Sequence, residues 1–203
     1  LAKDQGLIVH SHISETQKEH RECKERHNEM SPVQYLKSCG IFENPVLAAH
    51  CVYLENEDRK IMAKSGASIS HCISSNMKLG SGIAPISTSV DDGINVIIAT
   101  DGAASNNNLN MMEEMHLASL AGKGAFHDST MLPPAMILKM ATVNGAHAQG
   151  RKDCGVIEMG KRADFIILDM DKPHLLPTHN LLANLVYSAQ SSDLYMTVID
   201  GET

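Results

Sequence analysis

One rhythm constrains this chain more than any other feature. Short apolar, β-branched runs each end in a polar residue, and a helix-compatible stretch follows each run. "GLIVHSH" ends at His12, "PVLAAH" at His50, "ASISH" at His71 and "NVIIATD" at Asp101. The runs are apolar throughout rather than alternating, as expected of strands covered on both faces. Strands separated by helices at this spacing make βα units and a parallel sheet, so the fold class is α/β. In such folds ligands bind at the carboxyl ends of the strands, where these four polar residues fall.

The intervening stretches read as helices. Residues 16–38 are charged and long, interrupted by Ser31-Pro32, a second helix start with proline at its first position. Residues 55–64 carry Ile61 and Met62 as apolar points, and 83–92 form a shorter helix. After Asp101 a Gly/Ala/Ser/Asn loop leads to a helix near 109–120, with Met112, Met115 and Leu120 on one side. A further helical segment covers 133–148, with Gly145 marking a break.

Beyond residue 150 the texture becomes turn-rich β. "DFIILD" and "YMTVIDG" are its strands. The expected domains are therefore residues 1–150 and 151–203. A (β/α)8 barrel needs eight strands and about 250 residues. Only four strands precede the change, so the first segment reads as the C-terminal half of a TIM-type barrel. The second reads as part of a smaller β unit. A four-strand doubly wound sheet fits the same pattern. The chain opens on Leu1 in mid-pattern and closes on "VIDGET", so both ends read as cut.

Composition limits the partners. The net charge is −7 and there is no basic run, which argues against nucleic acid, since phosphate binding needs clustered Lys and Arg. No apolar run approaches the roughly 18 residues of a membrane span. Five cysteines without C-x-x-C disfavour a disulfide framework or a thiolate zinc site, and free thiols suggest a cytoplasmic protein. The anomaly is eleven histidines.

A divalent metal takes neutral imidazole and carboxylate ligands converging from different elements. His12, His50, His71 and Asp101 are placed for that if their strands share one sheet. His10 and His12 share a strand face, so "HSH" could be a ligand pair, or one ligand and a neighbour. Glu15 lies past the strand end and could reach the mouth of the site. Simpler readings compete. A lone strand-end histidine is more often a hydrogen-bonded structural residue. "SET" could be a helix N-cap through Ser14 or Thr16. Recurrence favours the site: three histidines and an aspartate close successive strands at one end.

The stretches "HSHISET", "VLAAHCVYL", "ISHCISSNMKLGSGIAPI", "IIATDGAASNNNLNMMEEM" and "GVIEMGKRADFIILD" occur in an order that resembles the amidohydrolase superfamily. Within it they are most similar to the methylthioadenosine/S-adenosylhomocysteine deaminases and their chlorohydrolase relatives. The resemblance implies a (β/α)8 barrel with a small β-sandwich, and one divalent metal, most often zinc, at the barrel mouth. His12 matches the metal-binding histidine of the fifth barrel strand, and Asp101 the metal-binding aspartate of the eighth. Glu15 matches the acid/base residue that contacts the purine ring. His50 matches the histidine that contacts the attacking hydroxide. Asp101 also moves protons and meets substrate, and His71 matches a histidine of the substrate-side loop.

The implied activity is hydrolytic deamination of an aminopurine nucleoside. Guanine deaminase, s-triazine chlorohydrolase and a non-catalytic barrel relative are the alternatives. The implied partners are the small-molecule substrate and water, with no nucleic acid and no membrane; relatives of this kind are often homo-oligomers. The family's first-strand His-x-His would lie upstream of Leu1. The 203 residues alone are therefore expected to bind metal weakly and to show no turnover.

Overall fold

The computed structural model describes residues 2–203. A short helix α1 (Ala2–Gln5) precedes strand β1 (Val9–Ile13), followed by α2 (Gln17–Arg26) and α3 (Pro32–Ser38). Strand β2 (Val46–His50) leads to α4 (Asn56–Ser65), and β3 (Ser68–His71) to α5 (Ile73–Lys78) and α6 (Ile86–Asp91). Strand β4 (Asn95–Ile98) leads to α7 (Ala103–Asn106), α8 (Met111–Phe126), α9 (Pro134–Ala141) and α10 (Val143–Ala148). The chain finishes with β5 (Phe165–Leu168), α11 (Leu181–Tyr187) and β6 (Leu194–Val198).

The first four strands form one parallel sheet in the order β1-β2-β3-β4. Each strand lies beside its successor in the chain. A doubly wound sheet would reverse direction at a switch point, and this one does not, which is the order of successive barrel staves. Register brings the strand ends level: Ile13 pairs with His50, and His71 with Ile98.

Burial explains why the runs are continuously apolar. Ala48, Ile69 and Val96 are fully buried, and all of β3 is inaccessible. Completely burying a Val or Ile side chain stabilises by about 1.5–3 kcal/mol. The edge strand β1 is only partly covered until Ile13. On the opposite edge, Asn144 of α10 donates from Nδ2 to Val96 O (2.9 Å), and Asn95 donates from Nδ2 to Asn144 O (3.2 Å). These bonds satisfy a carbonyl that an edge strand would otherwise leave open.

The helix boundaries test the sequence rules. Of the two N-cap candidates Ser14 and Thr16, it is Thr16 that caps α2, in a reciprocal box with Glu19; Ser31 caps α3 ahead of Pro32, as the Ser-Pro start predicts. Three expectations need correction. The final run stops at Ile98, so Asp101 lies in the loop beyond β4 rather than on the strand. In α8, Met112 and Met115 are buried but Leu120 is exposed. Eight residues at about 100° each put Leu120 some 80° away from Met112, on the outer flank. The break after α9 falls at Thr142, not Gly145, which sits inside α10. The Thr142 hydroxyl turns back to Leu138 O (2.6 Å), and this side-chain bond competes with helix continuation.

Among the described residues the C-terminal strands pair only with each other. β5 and β6 form a two-stranded antiparallel sheet with an irregularity between Ile167 and Leu168. No helix among the described residues is long and apolar enough to cross a membrane.

Candidate functional site

The site is built from loops at the carboxyl ends of the parallel strands. After β1 the chain turns sharply at Ser14, whose φ of 53° lies in the left-handed region. Glu19 holds this turn. Its carboxylate accepts from Ser14 N (2.8 Å), Glu15 N (2.7 Å) and Thr16 N (3.4 Å), while the Thr16 hydroxyl accepts from Glu19 N (3.1 Å). The capping box that starts α2 is thus also the clamp that aims Glu15. The Ser81 hydroxyl donates to Glu15 Oε1 at 3.4 Å.

After β2, His50 and Cys51 both take positive φ, 72° and 52°. Cys51 N donates to Ile13 O (3.1 Å) and Tyr53 N to Ser14 O (3.0 Å), which ties this turn to the end of β1. His50 is 1% exposed, its Nδ1 2.8 Å from Asn76 Oδ1. Its ring stacks on that of His12, with centroids 5.2 Å apart and planes 20° from parallel.

After β4, Asp101 is again left-handed, with φ of 64°. The Ser75 hydroxyl donates to its Oδ2 and Gly102 N to its Oδ1, each at 2.6 Å. Burial alone would raise the Asp101 pKa. The two hydrogen bonds, with His50 and His12 nearby, outweigh burial and hold it below the usual carboxylate range. Behind this loop, Asn106 Nδ2 donates to Thr100 O (2.7 Å) and to the buried Glu114 (2.8 Å).

These turns converge. Ligand-capable atoms of His12, His50 and Asp101 lie within 4.8 Å of one another. His50 Nε2 is 3.9 Å from both Glu15 Oε2 and Asp101 Oδ2. Two imidazoles and a carboxylate are the donor set that suits zinc or a similar divalent ion. The residues present therefore fit a divalent metal.

Of the residues singled out from sequence, His12, Glu15, His50 and Asp101 come together. His71 does not join them. It is 2% exposed, lines a cavity of about 10 Å³ with Ile83, Ala84 and Leu132, and its Nδ1 has no partner among the described residues. Burial, with His50 nearby, pushes its pKa down to about 4. His10 is exposed on β1, outside the group.

Glu19, Ser75, Asn76 and Ser81 went unremarked at the sequence level. The last three lie on or just after α5, a helix that the sequence pattern did not predict. They lie within "ISHCISSNMKLGSGIAPI", a stretch that carries the family resemblance, but the pattern assigns them no individual role.

A core of four sequential parallel βα units, with histidine and aspartate side chains gathered at the carboxyl strand ends, defines a metal-hydrolase type of half-barrel. The chain belongs to the amidohydrolase family, whose model matches residues 1–203. It is 46% identical over 203 residues to the 5-methylthioadenosine/S-adenosylhomocysteine deaminase of Thermoanaerobacter pseudethanolicus, covering 100% of this chain and 47% of that one. It superposes on the zinc-bound crystal structure of an adenosine deaminase from Xanthomonas campestris with a TM-score of 0.95 at 33% identity, over 99% of this chain and 46% of that one. For the zinc complex of atrazine chlorohydrolase TrzN from Arthrobacter aurescens TC1 the TM-score is 0.92 at 30% identity, over 99% and 44%. The chain spans about half the length of the curated relatives it matches.

Proposed function

We propose that the full-length protein is a zinc-dependent amidohydrolase that deaminates aminopurine nucleosides of the methylthioadenosine/S-adenosylhomocysteine type. The observation that carries this reading is the convergence of His12, His50 and Asp101, with Glu15 at 3.9 Å from His50. The likeness to curated deaminases supports it. In this reading residues 1–150 are the second half of the barrel, and 151–203 contribute to a small β-sandwich. Five free cysteines support a cytoplasmic location.

The roles are those that the family resemblance implies, and the convergence of these side chains supports them. His12 and Asp101 would hold the metal, which when bound makes water a nucleophile at neutral pH. Asp101, kept ionised by Ser75 and Gly102, takes the proton of the attacking water. His50 orients the resulting hydroxide through Nε2 toward the ring carbon bearing the amino group. Glu15 protonates the adjacent ring nitrogen, so that the ring accepts the nucleophile. Asp101 then returns its proton to the departing amine, ammonia leaves, and the hydroxyl left on the ring carbon yields its proton to Glu15 as the carbonyl forms, so that both carboxyl groups regain their starting states. His71 ends β3 directly before the helix that carries Ser75, and, 2% exposed and outside the group, it has no contact with substrate in this reading.

The likeness to atrazine chlorohydrolase supports a second reading, in which the same centre acts on another ring, a triazine or guanine. Ammonia or chloride release by the zinc-loaded full-length protein, measured on methylthioadenosine, S-adenosylhomocysteine, guanine and a chlorotriazine, separates the two. Preferred turnover of the nucleosides is expected. Preference for guanine or the triazine would replace the first reading by the second, and no turnover of any would identify a non-catalytic relative.

A further inference from the structure

A neutral imidazole carries one proton on one of two nitrogens, and the partner of one nitrogen decides the state of the other. His50 is 1% exposed, so solvent does not make that choice. Its hydrogen-bond partner is the side chain of Asn76, itself fully buried, with Oδ1 2.8 Å from Nδ1. An amide oxygen only accepts. In the neutral ring this contact calls for the proton on Nδ1, with Nε2 facing the carboxylates of Glu15 and Asp101, 3.9 Å from each.

Asn76 is held rigidly for this task. Its N–H donates to Cys72 O (3.0 Å), and its carbonyl accepts from Ser81 N (2.8 Å). The preceding residue, Ser75, holds Asp101, while Ser81 reaches Glu15. One turn of α5 and its following loop therefore touch all three reactive side chains.

A second observation points the same way. Asn76 Nδ2 is buried with no hydrogen-bond partner among the described residues. An unsatisfied buried donor is costly and uncommon. A leucine of nearly the same shape would avoid that cost, so packing alone does not explain an asparagine here.

We infer that Asn76 is a positioning residue that fixes the Nδ1–H tautomer of His50 and so presents Nε2 to the reacting centre. The consequence for turnover rests on the deaminase reading; the tautomer does not. The test uses metal-free full-length protein labelled with ¹⁵N-histidine, and long-range ¹H–¹⁵N correlation spectra with His50 assigned by its loss in His50→Gln. Wild type is expected to show the Nδ1–H pattern. Asn76→Asp keeps an acceptor at Nδ1, so it should retain that pattern with the Nδ1 proton shifted downfield. Asn76→Leu should lose it in favour of Nε2–H.

In the zinc-loaded protein, Asn76→Leu should lower kcat about 10–100-fold with KM and melting temperature little changed, and Asn76→Asp should recover most of the loss. An Nε2–H pattern in wild type, meaning that the amide faces the other way, overturns the inference. So does an unchanged tautomer in Asn76→Leu. If Asn76→Leu does not fold, an unshifted Nδ1 proton in Asn76→Asp overturns it. A wild type with the Nδ1–H pattern that releases no ammonia supports the tautomer assignment while removing the deaminase reading.

Discussion

The four-stranded parallel sheet and the β5–β6 pair handle apolar residues in opposite ways. In the parallel sheet helices cover the strands, apolar side chains vanish from the surface, and polar groups collect at one end. In the C-terminal segment Ile157 is 88% exposed, Met159 98% and Tyr195 72%, and within β5 itself Ile166 is 53% exposed. The difference teaches where rigidity comes from. A strand covered on both faces can force its last residues into uncomfortable backbone, because the rest of the strand cannot shift. The two-stranded sheet leaves both of its faces partly open, with Ile166 and Ile167 each exposed, and no candidate site residue lies on it.

The largest expected effect tests the functional end of the parallel sheet. Glu15→Gln in the full-length zinc-loaded protein should cut kcat by about 10²–10⁴-fold, as for loss of a general acid. Metal content by elemental analysis should not change. Near-normal turnover would remove Glu15 from the chemistry.

The next test compares the two regions directly. Ile69, fully buried in β3, should cost about 2–5 kcal/mol when truncated to alanine. Ile166→Ala should stay within about 0.5 kcal/mol of wild type by denaturant unfolding. Equal costs would mean that the C-terminal pair is as tightly packed as the parallel sheet.

His71 adds a pH dependence confined to the parallel region. Its pKa falls from 6.5 to about 4 on folding. Between those values the unfolded chain binds a proton that the folded chain refuses. Stability therefore falls as pH drops from 6.5 toward 4, by up to about 3 kcal/mol. Above pH 6.5 the effect vanishes. His71→Leu should flatten this part of the stability–pH curve, and an unchanged slope would mean that His71 accepts its proton in the folded state.

A smaller loss concerns the clamp under Glu15. Thr16→Ala removes one half of the capping box and should cost about 1 kcal/mol. A larger drop in kcat than in stability would show that the cap also aims Glu15.

The sequence made the parallel sheet legible because burial on both faces writes an unbroken apolar run, and because four such runs end alike. His12, His50 and Asp101 were found by that recurrence. The segment from Ile73 to Lys78 was not legible as a helix. Six residues give fewer than two turns, too few for a periodic signal. Ser75 and Asn76 were hidden with it, though their motif was visible. The break at Thr142 was misplaced onto Gly145 because composition suggests where a helix could stop. The Thr142 side-chain bond to Leu138, visible only in three dimensions, is where it does.

Ser14, His50 and Asp101 share a property that matters for anyone breeding this protein. All three hold a left-handed backbone that glycine would adopt without penalty, and a non-glycine residue there costs on the order of 1–3 kcal/mol. A laboratory selection that rewards heat resistance alone should relieve this strain wherever the side chain lost contributes less than the strain costs. One that rewards catalysis should defend His50 and Asp101 and release only Ser14. The sites where the two selections part company would map the active centre without any structure at all.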